Sequence, residues 1–436
     1  MRTNVALFAA VLPALLHGAA VAADWTHWRG PNRNGTTSES SGWEDGAWPL
    51  EKPAWKVNVG RGSTSPLIAD GRLYTIGSNG KRDQVQCLDA ATGRPLWKQT
   101  YACPLYGRQS TGDKGIYAGI CSTPEFDEAT GLLYTLSIDG DLNCWNTKRG
   151  GKKVWGLNLY DKYRAPRRAQ VGRSPRRDYG YTSSPLLHGD WLIVEVGAAA
   201  GNLIALDKRT GQQRWASAAK DAAGHNGGPV PITVEGTPCV AVHTFAGLLI
   251  VRLDAGHEGE TVATYPWKTT FANNIATVAV HKDSVVITSA YNHAKIARLK
   301  ITLAGAKKLW ERDFASKVCT PVIHDGHVYW AWRKLWCLDF ETGKLRWQGS
   351  GFGDAGSCIV TADSRLIVWA NRGDLVLAET ARRSPDRYRP LATKKSIFAH
   401  DAWPHVALAA GRLYCKDRDG NLICFDLRKA VRRKNR

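Results

Sequence analysis

Twelve histidines and ten cysteines are the side chains here most able to hold a metal or to act as nucleophile and base. Their spacing decides what they can do. His257-Glu258-Gly259-Glu260 lacks the second histidine, four residues on, that would set two imidazoles on one helix face, so it reads as a Gly-rich turn. His324 and His327 flank an Asp325-Gly326 hairpin turn. His400-Asp401 with His405 has the makings of a base and its orienting partner, but no nucleophile is placed beside it, and these residues read as leading into a strand that faces an inner channel. Gly77-Ser78-Asn79-Gly80 and Gly351-Phe352-Gly353 introduce no helix and therefore cradle no phosphate. The only methionine is Met1, which excludes thioether-ligated haem or copper. No catalytic residue and no metal site is expected.

The cysteines follow a pattern of packing. Cys87, Cys144, Cys337 and Cys424 each stand two residues before an Asp or Asn, and Ala205 takes that place before Asp207. A position that accepts either Cys or Ala is a small buried one. Cys103 and Cys121 flank an inserted loop and are the pair best placed for a disulfide. There is no Cys-x-x-Cys, so zinc-ribbon, thioredoxin-like and c-haem chemistry are excluded.

A formal charge of +20 directs attention to anionic partners. Arg164, Arg167, Arg168, Arg173, Arg176 and Arg177 crowd one segment together with Tyr163, Tyr179 and Tyr181. Guanidinium forks bind carboxylate and phosphate in bidentate fashion, making this the candidate anionic-partner loop. Residues 428–436 form a basic tail. The first 23 residues read as a cleaved export signal: Arg2, an apolar run from Val5 to Leu16, then Ala19-Ala20-Val21-Ala22-Ala23. Without a cysteine near that cleavage point, lipid anchoring is not expected. Delivery to the periplasm or cell envelope makes nucleic acid an unsuitable partner, and leaves protein, cell-envelope polymer or anionic lipid.

What must position these residues is a repeat. Ala205-Leu206-Asp207-Lys208-Arg209-Thr210-Gly211 runs on to Trp215, and the same spacing joins Cys87, Asp89, Thr92, Gly93 and Trp97, and again Cys337, Asp339, Thr342, Gly343 and Trp347. Asn146 with Trp155 is a copy one residue longer. Asp accepts hydrogen bonds from the backbone that follows it, and Gly adopts positive φ, so Asp-x-x-Thr-Gly closes a turn between antiparallel strands. The Trp then wedges against the neighbouring sheet. Small-residue-Pro starts recur at Ser65-Pro66, Thr123-Pro124, Ser184-Pro185, Gly228-Pro229 and Thr320-Pro321. Eight units result. Units four, five and seven have degenerate turns, read at Asp254, Leu299 and Glu379, while Trp267, Trp310 and Tyr388 are read as their outer aromatics. Four-stranded units of about 40 residues predict an all-β, eight-bladed β-propeller. The last unit stops at Asp426, so Pro53–Val57 is expected to supply its missing strand and close the ring. The expected organisation is a lead-in segment over 24–49, a propeller over 50–427 and the basic tail, acting as a monomer.

The motif Ala/Cys-x-Asp-x-x-Thr-Gly-x-x-x-Trp resembles the docking motif of the PQQ-like β-propeller repeat superfamily, and Trp28-Arg29-Gly30-Pro31 resembles an opening common in its exported members. The layout is similar to the BamB-like, non-enzymatic branch, which implies a protein-binding scaffold with no cofactor. The quinoprotein dehydrogenase branch implies PQQ and oxidation of alcohols or sugars, but it carries an adjacent cysteine pair, and no two cysteines are adjacent here. A carbohydrate-binding propeller is the third reading, since Trp and Tyr stack on sugar faces.

Overall fold

An Asp side chain that can fold back on its own turn ends the third strand of half the units, and the structure repeats that event around a ring. The computed structural model describes residues 24–103, 119–165, 180–224, 226–269 and 273–428. These form eight four-stranded antiparallel sheets. Blades 1 to 7 each take four strands in chain order, beginning with Leu67–Ala69, Arg72–Ser78, Arg82–Asp89 and Pro95–Ala102 in blade 1. Blade 8 takes its inner three strands from Ala407–Ala409, Arg412–Lys416 and Asn421–Asp426, and its outer strand from Trp55–Asn58, with Trp55 opposite Cys424. The ring thus closes N-terminal strand on C-terminal sheet, as the interrupted eighth repeat predicts.

The turn chemistry is uniform in the three best copies. Asp89 Oδ1 accepts from Thr92 N and Oγ1 at 2.8 and 2.7 Å, and Asp207 and Asp339 hold Thr210 and Thr342 in the same way. The strand after each turn carries its Trp opposite a small buried residue: Cys87 faces Trp97, Cys144 faces Trp155, Ala205 faces Trp215 and Cys337 faces Trp347. In these four blades a small residue lies beneath the bulky outer ring, which accounts for the Cys/Ala position, whereas in blade 5 Trp310 lies opposite Arg298.

Between blades the indole crosses the seam. Trp55, Trp155 and Trp310 each donate to the carbonyl that follows the Asp position of the next blade, at Ala90, Lys208 and Phe340 (3.2, 3.1 and 2.9 Å). Trp347 donates to Ser384 O at 3.1 Å. Gly93, Gly211 and Gly343 lie under the rings of Trp55, Trp155 and Trp310, where a Cβ would come within 2.7–2.8 Å of the indole. Their φ values of +67° to +73° also require glycine.

Two units depart from this register. In blade 4 the position opposite Ile250 is Ala263, and in blade 7 the position opposite Leu377 is Ala392. Trp267 lies past the end of its strand, buried, with its indole donating to Ser289 Oγ at 2.8 Å. Tyr388 precedes its strand and turns back against Trp347, ring centroids 6.0 Å apart. The Asp position of blades 4 and 5 falls on Arg252, two residues before Asp254, and on Lys300, one residue after Leu299, because the bulge that fixes the register lies between Ile250 and Val251 in blade 4 and between Arg298 and Leu299 in blade 5.

Candidate functional site

The inner strands start with a small residue for a reason visible only in the ring. Ser65 Oγ accepts from His405 N, Thr123 Oγ1 from Ser65 N, and Ser184 Oγ from Thr123 N, at 2.8, 3.1 and 3.0 Å. Thr320 Oγ1 accepts from Thr277 N at 3.1 Å. Each bond runs from one blade to the next, so hydroxyls before the prolines clasp the strand starts around the axis.

Within that collar lie residues 24–37. Trp25 pairs with Ile68 of blade 1 through both backbone bonds, and Val360 of blade 7 pairs with Gly35 and Thr37. Trp28 Nε1 donates to Thr277 Oγ1 of blade 5 at 3.3 Å, and its ring meets His405 of blade 8 at 4.5 Å. Arg29, 1% exposed, donates to Pro321 O of blade 6 at 2.5 Å and to Asn34 O at 3.1 Å. A short segment that touches the inner rims of so many blades can only lie on the axis.

Blade 2 supplies the electrostatic anchor. Glu125 is fully buried, and Arg33 binds both its oxygens as a fork. His27 Nδ1 lies 3.0 Å from Oε1, and Leu187 N of blade 3 donates to the same oxygen at 3.2 Å. Burial pushes the Glu125 carboxyl up, but Arg33 and His27 outweigh it and leave its pKa below the usual value. An ionised buried carboxylate is stable only when its lone pairs are engaged in this way. Gly35, at φ +78°, passes where a Cβ would sit 2.7 Å from Val322, so the segment fits without clearance.

Other residues singled out in the sequence are dispersed. His400 Nε2 lies 3.0 Å from Asp419 Oδ2, whereas Asp401 faces Arg418 and His405 is on the axis, so the three form no relay. His324 and His327 both address Asp325 on the turn between the first two strands of blade 6, and His257 addresses Glu260. Arg164 is exposed at the C-terminus of a short helix, Leu159–Tyr163. Arg167, Arg168, Arg173, Arg176 and Arg177 lie outside the described residues, as do the export segment and residues 429–436. Cys103 is buried with Sγ 3.1 Å from Asp139 Oδ2. Among the described residues no helix is long and apolar enough to cross a membrane.

Fold, turn chemistry and indole-crossed seams define a PQQ-like repeat propeller. The sequence profile of the family described as outer membrane protein assembly factor BamB matches residues 51–118 and 122–349, and the chain belongs to that family. The chain is 24% identical to the outer membrane protein assembly factor BamB of Burkholderia pseudomallei, over 67% of this chain and 68% of that one. A stretch covering 38% of the chain is 32% identical to the dehydrogenase subunit of a quinone alcohol dehydrogenase from Gluconobacter oxydans, and spans only 20% of that protein. Another, covering 28% of the chain, is 33% identical to the serine/threonine-protein kinase AfsK of Streptomyces griseus and spans 16% of it. The solved BamB structure from Moraxella catarrhalis superposes with a TM-score of 0.58 at 11% identity, covering 86% of this chain and 99% of that one, a likeness of fold.

Proposed function

We propose that the chain is an exported, non-catalytic propeller that binds protein partners through its loop-bearing face, in the cell envelope. The observation that supports this reading is the filled axis. A quinone dehydrogenase of this fold class would hold PQQ in the axial channel, and the groups there do not fit it. The carboxylate of Glu125 is taken by Arg33, His27 and Leu187 N, and the Pro321 carbonyl by Arg29. What remains for recognition is the face carrying the blade-to-blade connections and the second hairpin of each blade, held rigid by the ring beneath. Similarity to a BamB over two thirds of both chains points the same way.

The test has two arms. Purified protein titrated with PQQ and Ca²⁺, then offered alcohols and sugars with a reducible dye, should show neither saturable absorbance change nor turnover. Turnover would overturn the reading. Photo-crosslinking residues placed at Lys81 and Arg372 on the loop-bearing face should each yield a discrete protein adduct in the envelope, and the same residue at Lys98 on an outer strand should not.

A further inference from the structure

One part of the loop-bearing face has a composition unlike the rest. In blade 6 the strands His327–Trp332 and Lys334–Asp339 meet in a hairpin whose tip is Trp332-Arg333-Lys334. Trp330 lies opposite Trp336 and Trp332 opposite Lys334, so all four side chains share one face of the sheet. Trp330 is fully buried and donates to Ala315 O at 2.8 Å. Trp336 stacks on it, centroids 5.9 Å apart and planes at 15°, and Phe314 covers Trp336 at 4.9 Å. The aromatic ladder thus rises from the core to half-exposed Trp332 and Trp336.

Each half-exposed ring carries a cation. Arg333 lies over Trp332 at 4.6 Å, and Lys334 Nζ over Trp336 at 5.4 Å. Arg333 is 69% exposed and adopts φ +59°, a left-handed conformation that is unfavourable for a non-glycine residue. Its backbone N–H is tied to Gly353 O at 2.7 Å, so the turn is held in place. Lys317 adds a third positive charge, and Asp354, 3.1 Å from Lys317 and 3.6 Å from Arg333, is the carboxylate set among them.

We infer that this blade 6 hairpin is a binding site for an acidic polysaccharide, with Trp332, braced from below by Trp330 and Trp336, meeting a sugar ring and Arg333 and Lys334 meeting the carboxylates. A uronate polymer presents one apolar C–H face and one carboxylate per ring. The hairpin presents one indole, Trp332, with two cations beside it, on a rigid edge of a strongly basic chain. Stacking supplies selection for sugar, and the paired cations select the charged kind over the neutral. This site is separate from the scaffold reading and does not depend on it.

Calorimetric titration with oligogalacturonate, with a neutral cello-oligosaccharide, and with poly-L-glutamate tests the assignment. Oligogalacturonate should bind saturably and more weakly as salt is raised, and the neutral sugar should not bind. Trp332→Ala and Arg333→Glu should each lower the oligogalacturonate affinity at least tenfold, while Lys98→Glu on the outer strand of blade 1 leaves it unchanged. Arg333 is exposed, so R333E keeps the test valid if W332A unfolds. Absence of saturable binding, or binding indifferent to both variants, overturns the site. Equal binding of poly-L-glutamate with the same sensitivity to W332A overturns the sugar in favour of an acidic protein. Failure here leaves the cross-linking result at Lys81 and Arg372 untouched.

Discussion

At the seam between blades 5 and 6, Trp310 lies over Gly343 and donates to Phe340 O, so a large ring fills the gap and one directed bond fixes its height. At the seam between blades 4 and 5 the same register position is Ala263, and the outer strand Thr261–Pro266 lies directly against the outer strand Gly305–Arg312. Trp267 enters from the other end, its indole on Ser289 and its ring 4.2 Å from His293. One seam is held apart by a wedge and the other closed by direct strand contact. Blade 7 offers a third solution: beside Ala392 the segment Trp43–Leu50 supplies Trp43, Trp48 and Leu50 as cover. The ring therefore tolerates loss of its repeated residue wherever another element packs against the position, even where, as beside Ala392, a small open cleft remains.

The largest effect is expected where nothing else can fill it. Trp310→Ala should cost about 3–5 kcal/mol, the usual loss for truncating a buried Trp, read as a fall in the midpoint of denaturant unfolding. Parity with an exposed substitution such as Lys98→Ala would mean that the wedge carries no load. The converse change sharpens the contrast. Ala263→Trp, which restores the motif in blade 4, should destabilise by about 1–3 kcal/mol, because the strands already touch and an added ring overpacks the seam. Stabilisation would show that the blade 4 seam has room and that Ala263 is merely a lost Trp.

Glycines separate conformation from contact. Gly343 and Gly256 both have positive φ, +67° and +83°, but a Cβ at Gly343 would meet the Trp310 ring at 2.7 Å, whereas Gly256 faces open space. Gly256→Ala should cost about 1 kcal/mol for backbone strain alone, and Gly343→Ala about 2 kcal/mol or more. Equal losses in thermal unfolding would remove the contact from the account.

The propeller was readable because its determinants are local. Asp89, Thr92 and Gly93 lie within one turn, and Trp97 follows at fixed spacing, so each repeat declares itself without reference to the others. The interrupted repeat ending at Asp426 likewise pointed to Trp55 as the closing strand. Residues 24–37 were legible only as an opening motif, since Trp28 meets Thr277 across 249 positions and Arg29 meets Pro321 across 292. No local pattern encodes an axial position. The misplacement of Trp267 and Tyr388 has the same origin: aromatic spacing was readable, but the bulge that sets register is a property of paired strands. In blade 6, Trp332, Arg333 and Lys334 drew no notice in the sequence, because only the hairpin brings Trp330 and Trp336 onto one face beside them.

The smallest effect concerns the turn's own carboxylate, and it distinguishes motif blades from those with a cation in its place. Asp339 Oδ1 holds Thr342, and Oδ2 accepts from Arg346 at 2.8 Å. Partial burial raises the Asp339 pKa, but Arg346 and Thr342 overcome it and bring it down to about 2. A folded pKa below the unfolded value means that the unfolded chain takes up protons first on acidification. The stabilisation is therefore complete above about pH 4 and is lost as pH falls through about 2. Asp339→Asn keeps the acceptor for Thr342 and removes only the half-exposed ion pair, so at pH 7 it should cost about 0.2–1 kcal/mol. That difference should shrink toward zero by pH 2. A D339N deficit that persists undiminished at pH 2 would assign the role of this residue to turn geometry instead of charge.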